Sequence, residues 1–380
     1  HANIQKNPRR IAATGAALLI GVTLVSTIAT GAASAKETMN GALATRYSVD
    51  IVAMGDDISQ QMVKDVADIN GVSDTLYAPA VSVTLEKADG TQPTSALLVG
   101  VKNIDQVKQV MRANLGNASI DSDGVLMPTY NAQTGKKLQF ANGTADFSTE
   151  WNQDGDATRS LTLQANQADY RRVSAQYGAV GFVDESHFTN GDLDAATHVL
   201  LVKADTDKSG VSVDGIYNDM QAALEKSTDA TVTGPIAERI VWANMIDSMM
   251  MLLVGLIAVA VLIALVGVAN TLSLSVIERT RESATLRAIG MTRGQLRRSL
   301  AVEALLISLV SGISGVLLGT LFGWLGAYVV FSMYGKVVFP FEWGINGIVL
   351  AVAAVAALLA SVFPARRAVS TPPVEALAEA

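Results

Sequence analysis

The sequence predicts a membrane α-helical protein with four transmembrane helices and an α+β extracytoplasmic domain inserted between helices 1 and 2. Three observations predict it. Four apolar runs stay free of charge over bilayer-crossing lengths. The stretch between the first two runs, residues 37–240, mixes strand-like and helix-like patterning. Arginines crowd into one set of connecting segments and avoid the others.

The chain has 380 residues, 50% of them hydrophobic, and a mean hydropathy of +0.33. That is high for a soluble protein and modest for one built wholly of membrane helices, so one chain combines both kinds of segment. With no cysteine, a disulfide framework and a thiolate metal site are excluded. The three histidines, His1, His187 and His198, show no metal-ligand spacing, and the net charge of −7 argues against nucleic acid as a partner. The chain opens on His1 rather than Met, and reads as a processed, truncated or excised piece of something longer.

A helix rises about 1.5 Å per residue, so crossing the hydrocarbon core takes about 20 apolar residues. Helix 1 lies in Ile11 to Ala35, within the segment 1–36. Helix 2 runs from Ser248 to Ile277. Helix 3 occupies Ala304 to Gly335, in the segment 300–335, and helix 4 occupies 343–365. Lys6, Arg9 and Arg10 ahead of helix 1, with Ala33-Ser34-Ala35 at its end, also resemble a secretory signal peptide. An h-region of about 7–15 residues is shorter than this run, so length favours a retained helix. Cationic residues in short loops mark the cytoplasmic side. Lys6, Arg9 and Arg10, the six arginines between helices 2 and 3, and Arg366 and Arg367 of the tail 366–380 fall on one side when both termini are cytoplasmic. Residues 37–240, with 28 acidic and 15 basic residues, then lie outside, and Trp242, Trp324, Tyr328, Tyr334 and Trp343 form an aromatic belt.

Within the outer domain, Val49 to Ala53 reads as a strand. Asp56 or Asp57 caps a helix with Ile58, Met62, Val66 and Ile69 on one face, ended by Asn70-Gly71. Val81, Val83 and Leu85 alternate as in a half-buried strand, and Leu97 to Val101 is another. Asn103 with Gln106 opens a helix through Val107, Val110 and Met111. Val199 to Val202, the stripe Ile216, Met220 and Leu224, and Ala230 to Thr233 repeat the strand–helix–strand theme. The expected arrangement is a βαβ-type body from 46–115 and 197–234, with a β-rich insertion at 116–196 carrying strands at Leu161 to Leu163 and Val180 to Val183. His187, beside Asp184 and Glu185, reads as part of a solvated polar loop. No catalytic constellation and no metal site is expected. Pro235 starts a helix that nothing breaks through 236–277, about 63 Å long, so helix 2 projects outward as a stalk.

The segment 278–298 pairs Glu278 with Arg281 at i,i+3 and carries an apolar side of Leu286, Ile289 and Met291. Gly290 can end a helix, and Thr292 with Gln295 can cap the next. By itself this is a short amphipathic helix at the membrane surface, suited either to lipid headgroups or to docking a partner. Residues Ile277 to Glu282 and Leu286 to Thr292 resemble the signature of the FtsX-like permeases, the membrane subunits of MacB-type ABC transporters. Pro364-Ala365-Arg366-Arg367-Ala368, Pro373 to Leu377 and Asn7-Pro8-Arg9-Arg10 are also similar to segments of that family; the last resembles the start of the second half of a duplicated permease. The resemblance implies an ABC transporter permease that docks a separate cytoplasmic ATPase through Glu278, Arg279, Arg281, Glu282, Leu286, Arg287, Ile289, Gly290, Met291 and Arg293. It further implies a second permease copy or permease half, a bacterial plasma-membrane location, and export or extraction of lipid, lipoprotein, peptide or antibiotic. No enzymatic activity of its own is expected: the sequence has no G-x-x-x-x-G-K-[ST] loop, and ATP is expected on the partner rather than as a cofactor here. A non-transporting regulator of a cell-wall hydrolase and a membrane-anchored sensor are the alternatives.

Gly312, Gly315, Gly319 and Gly323 line helix 3 at a spacing that lets helices approach closely. They serve either a subunit interface or packing within the four helices. Asn270, Glu303 and Asp247 are the polar groups near helix ends; membrane lipid is the remaining expected partner.

Overall fold

The computed structural model describes residues 8–86, 93–150, 158–205, 210–278, 291–333 and 335–370. The chain divides into two compact units, one of residues 40–242 and one of residues 1–39 with 243–380.

The outer unit starts at the end of helix α1 (Pro8–Arg46) and continues through β1 (Ile51–Gly55), α2 (Gln60–Ala67), β2 (Val72–Leu85), β3 (Thr94–Val101) and α3 (Ile104–Val110). Then come β4 (Gly124–Pro128), β5 (Thr144–Glu150), β6 (Thr158–Ala168), β7 (Ala179–Asp184), the single turn α4 (Ser186–Thr189), β8 (Thr197–Ala204), α5 (Val213–Ala223) and β9 (Thr231–Thr233). Strands β9-β1-β8-β2 pair antiparallel in that order. With α2 between β1 and β2, and α5 between β8 and β9, this is the split-βαβ, ferredoxin-like order. Both helices cover one face, where Ile58, Met62 and Val66 of the α2 region and Ile216, Met220 and Leu224 of the α5 region pack on Ile51, Ala53, Leu200 and Val202.

The second half of β2 leaves that sheet. Ala80 to Leu85 pair with β3, and Thr84 and Leu85 with β5. The ladder continues β3-β7-β4-β6-β5 and so returns to β2, a closed barrel of six strands. Closure removes every sheet edge there. The barrel interior is filled by alternate residues: Val81, Val83 and Leu85 of β2, Ala96 and Leu98 of β3, Val125 and Met127 of β4, Ala179 and Val183 of β7. Gly181 is the inward position between the last two; a Cβ there would lie 2.6 Å from Met127 Sδ and 3.0 Å from Leu98. The intervening residues Leu97, Val99, Leu126, Val180 and Phe182 face outward, into a second core with Val107 and Val110 of α3 and Val52, Leu76 and Leu201 of the sheet. The β-rich segment 116–196 is therefore not a separate insertion; its barrel is completed by β3 and half of β2, which the sequence places in the body.

Two local expectations are corrected. The cap of α2 is Ser59, whose side chain accepts from Met62 N. Asp57 instead accepts from the Ser227 hydroxyl and from the Thr228 N–H at 2.9 Å and hydroxyl at 3.0 Å, tying the α5–β9 loop to the start of α2. His187 is not on a solvated loop: it is 6% exposed, with Nδ1 2.9 Å from Asp192 Oδ2 and Nε2 2.6 Å from Ser122 O. Asn103 caps α3, accepting from Gln106 N, while Gln106 Oε1 accepts from Lys102 N.

The other unit holds most of α1 and of α6 (Pro235–Glu278), with α7 (Arg293–Phe331) and α8 (Trp343–Ser370). Thr292 and Gln295 form a capping box at the start of α7. Among the described residues, three helices are long and apolar enough to cross a membrane: Leu18–Arg46, Pro235–Val259 and Ala304–Phe331; α8 adds a shorter apolar stretch, Trp343–Leu358. Ala33, Ser34 and Ala35 lie inside α1 as helix.

Candidate functional site

Two constellations stand out, one in each unit. The first is the junction where α1 ends and α6 begins in the outer domain. A helix leaves its last carbonyls without internal partners. For α1 these are met from the segment after β6: Arg171 Nη1 donates to Thr45 O at 2.7 Å, and Arg172 N to Arg46 O at 3.2 Å. Cations also suit the negative end of the helix dipole. Ser48 closes the join, its N–H donating to Arg172 O and its hydroxyl accepting from Arg171 N. The C-terminus of α1 is thereby docked on the barrel.

The start of α6 is docked on the sheet. Ile236 is buried in the core of the ferredoxin-like half, and its N–H donates to Asp50 O at 3.3 Å. Gly234 precedes it with φ +101°, and a Cβ there would lie 3.2 Å from the same carbonyl. Asp50 is also the hub for side chains. Arg112, just beyond α3, clasps its carboxylate through Nε at 3.0 Å and Nη2 at 2.8 Å, and Ala204 N donates to it at 2.8 Å. Tyr47 then joins the two helices directly, donating its hydroxyl to Glu238 of α6 while the Arg172 guanidinium lies 5.4 Å over its ring. Burial, reinforced by the hydrogen bond to Glu238, pushes the Tyr47 phenol well above its ordinary range, so it stays a donor.

The second constellation is the packing of α1 on α7 and α8. A Cβ at Gly319 would lie 2.5 Å from Ser26 Cβ and 2.6 Å from Thr23 O. At Gly315 it would meet Val22, and at Gly323 it would meet Thr27 O and Thr30. Gly312 faces Leu350 of α8 instead. All four glycines therefore make their close approaches to helices of the same chain. Ser26 is buried and donates to Asn346 Oδ1 of α8 at 3.0 Å. At the α6 side, Lys36 of α1 pairs with Asp247.

Of the coupling residues expected from the sequence, Arg279, Arg281, Glu282, Leu286, Arg287, Ile289 and Gly290 lie outside the described residues. Glu278 is the last residue of α6, Met291 precedes the cap of α7, and Arg293 is its first residue. The sequence reading missed Tyr47, Asp50, Arg112, Arg171 and Arg172, which lie in short turns without periodic pattern. Among the described residues no group of three or more metal-binding side chains is found.

The fold and these constellations define a class: a membrane protein whose apolar helices carry a large α/β domain. Residues 254–373 match the family described as FtsX-like permease C-terminal. Over this C-terminal third the chain is similar to the FtsX-like, MacB-type ABC transporter permeases. It is 33% identical over 114 residues to the macrolide export ATP-binding/permease protein MacB 1 of Aeromonas hydrophila, covering 30% of this chain and 17% of that protein. It is 32% identical over 141 residues to the corresponding MacB of Brucella abortus, covering 35% and 22%. It is also 27% identical over 178 residues to an uncharacterized ABC transporter permease of Methanocaldococcus jannaschii, covering 45% and 44%. The chain thus spans less than half of each of these relatives. Among solved structures, the periplasmic region of MacB from Actinobacillus actinomycetemcomitans aligns with 52% of this chain and 94% of that one, at 10% identity and a TM-score of 0.28.

Proposed function

We propose that the chain is the permease subunit of an ABC transporter, coupling ATP hydrolysis by a partner ATPase to movement of its outer domain. The observation that carries this is the match of residues 254–373 to the FtsX-like domain, a span that includes the arginine-rich elbow between α6 and α7. The relatives in Aeromonas and Brucella are named as ATP-binding and permease proteins in one chain; here the ATPase is read as a separate subunit. Four membrane spans, both termini in the cytoplasm and the elbow on the ATP-bearing side complete the reading. The partner closes on ATP and pushes the elbow. Helices α1 and α6 carry that push to the junction of Tyr47, Asp50 and Glu238. A second permease copy or half supplies the opposing side, and the cargo belongs to the exported lipids, lipoproteins, peptides or antibiotics.

The test is a pull-down from the native membrane. The wild-type chain is expected to retain an ABC ATPase, and the pair Leu286→Asp with Arg287→Glu to lose it while the outer domain keeps its protease resistance. Undiminished ATPase recovery with the double variant would refute coupling through this elbow.

A further inference from the structure

We propose that the connection between α7 and α8 is a lipid anchor. It descends along α1 and α7 to the boundary between headgroups and acyl chains, and there presents Phe339 and Trp343 to the bilayer. The inference rests on reading α1, α7 and α8 as membrane-spanning, and does not depend on the ATPase.

The helices supply a ruler. Gly319 of α7, Ser26 of α1 and Asn346 of α8 share one level, through the close approach of Gly319 to Ser26 and the 3.0 Å Ser26–Asn346 bond. From that level α7 continues to Phe331, about 18 Å further, whereas α8 begins at Trp343, only about 4–5 Å beyond it. The connection must therefore fall back by about 13 Å. The opposite ends of the charge-free runs, Ile11 and Ala304, both lie about 22 Å from the shared level. A hydrocarbon core of about 30 Å then ends roughly 8 Å beyond it. Phe331 and Met333 stand clear of that boundary, Ser34 of α1 lies at headgroup level, and Trp343 lies just inside.

The backbone of the connection is held by protein partners as it approaches the hydrocarbon core, where unpaired polar groups are costly. Ser34 and Thr38, one turn apart on α1 and both buried, grip a single residue from two sides: Ser34 donates to Val338 O, and Thr38 Oγ1 accepts from Val338 N at 3.1 Å. Trp324 Nε1 donates to Pro340 O at 2.9 Å, and Pro340 has no N–H to satisfy. Trp343 N donates to Phe341 O. Phe341 turns inward against Val22, Val316 and Ala353. Phe339 and Trp343 are left 48% and 80% exposed, continuous with the apolar outer faces of α7 and α8. Aromatic side chains at this level are favoured by the bilayer interface. Glu342 immediately precedes α8, where the helix dipole favours a carboxylate.

The chain has no native cysteine, which makes the test direct. Phe339→Cys, Trp343→Cys, Met333→Cys and, as a mid-membrane reference, Leu317→Cys are each labelled with an environment-sensitive fluorophore in the full chain. Each is then reconstituted in phosphatidylcholine–phosphatidylglycerol vesicles with and without shallow-brominated lipid. Labels at 339 and 343 are expected to be blue-shifted and quenched at least twofold more than the label at 333. Labels at 339 and 343 that match 333, while 317 is quenched, would overturn the anchor and leave the membrane reading standing. An unquenched label at 317 would overturn both. In a Ser34→Ala, Thr38→Val background the 339 label should move toward the behaviour of 333. An unchanged label would remove the latch from the proposal, and the depth profile of the parent chain decides the anchor whether or not that variant folds.

Discussion

Asp57, Asp184 and Asp192 are charged groups whose role is set by what they accept. The Ser227 hydroxyl and then the Thr228 amide hold Asp57 well below the usual carboxylate range. The Ser186 hydroxyl and amide do the same for Asp184, and His187, followed by Asn190, for Asp192. In the unfolded chain these groups return to about 3.9. A depressed folded value means that their contribution is fully present above pH of about 4, and is lost as pH falls through the folded values. The outer domain should therefore lose stability as the pH falls below about 4. Asp57→Asn, which keeps the shape but weakens the acceptor, should lower the melting temperature at pH 7 and flatten the acid slope. Thermal unfolding of the detergent-solubilised chain followed by circular dichroism at pH 7, 5, 4 and 3 checks both.

Among the helices, the glycines of α7 divide by what lies opposite them. At Gly319 an added side chain meets the backbone and Ser26 of α1, whereas at Gly326 nothing lies within 4 Å. Backbone cannot swing aside, so Gly319→Leu should force α1 and α7 apart. Overpacking of this kind costs about 1–3 kcal/mol; the matched change Gly326→Leu should cost close to nothing. Comparing the two melting curves in one detergent decides it. A similar division explains which strands could be read in advance. Val81, Val83 and Leu85 alternate because one face fills the barrel. The first half of β2, from Val72, does not alternate and contains Pro79, tolerated because pairing with β3 begins only at Ala80. The strands Gly124–Pro128 and Thr144–Glu150 are equally short of pattern: β4 is buried throughout, and β5 is mostly polar.

At the scale of the whole outer domain, the core between barrel and sheet decides whether its two halves unfold together. Val99, Leu126, Phe182 and Tyr170 from the barrel side meet Val52, Leu76 and Leu201 of the sheet in one buried cluster. Tyr170, fully enclosed, has its single hydroxyl proton shared between Leu126 O at 3.0 Å and Val180 O, and its burial holds the phenol well above its usual range. An interface this apolar ties barrel and sheet into one cooperative unit. Phe182→Ala should cost about 3–5 kcal/mol. Hydrogen exchange should then show the amides of β1 and β8 losing protection together with those of β3 and β4. Loss confined to the barrel strands would mean two independent modules.

The amino-acid order alone located the long apolar helices, the mixed α/β character of the outer domain, the capping pairs at Asn103 and Thr292, and the resemblance to the FtsX-like permeases. Those depend on properties local in sequence: run length, helical period, and donors and acceptors three residues apart. The closing of the barrel, the burial of His187, the clasp of Arg112 on Asp50, the tie from Tyr47 to Glu238 and the seating of the α7 glycines on α1 emerged only with the folded chain. Each joins residues far apart along the chain, and such pairings depend on which surfaces the packed elements present to one another, which no short-range pattern encodes.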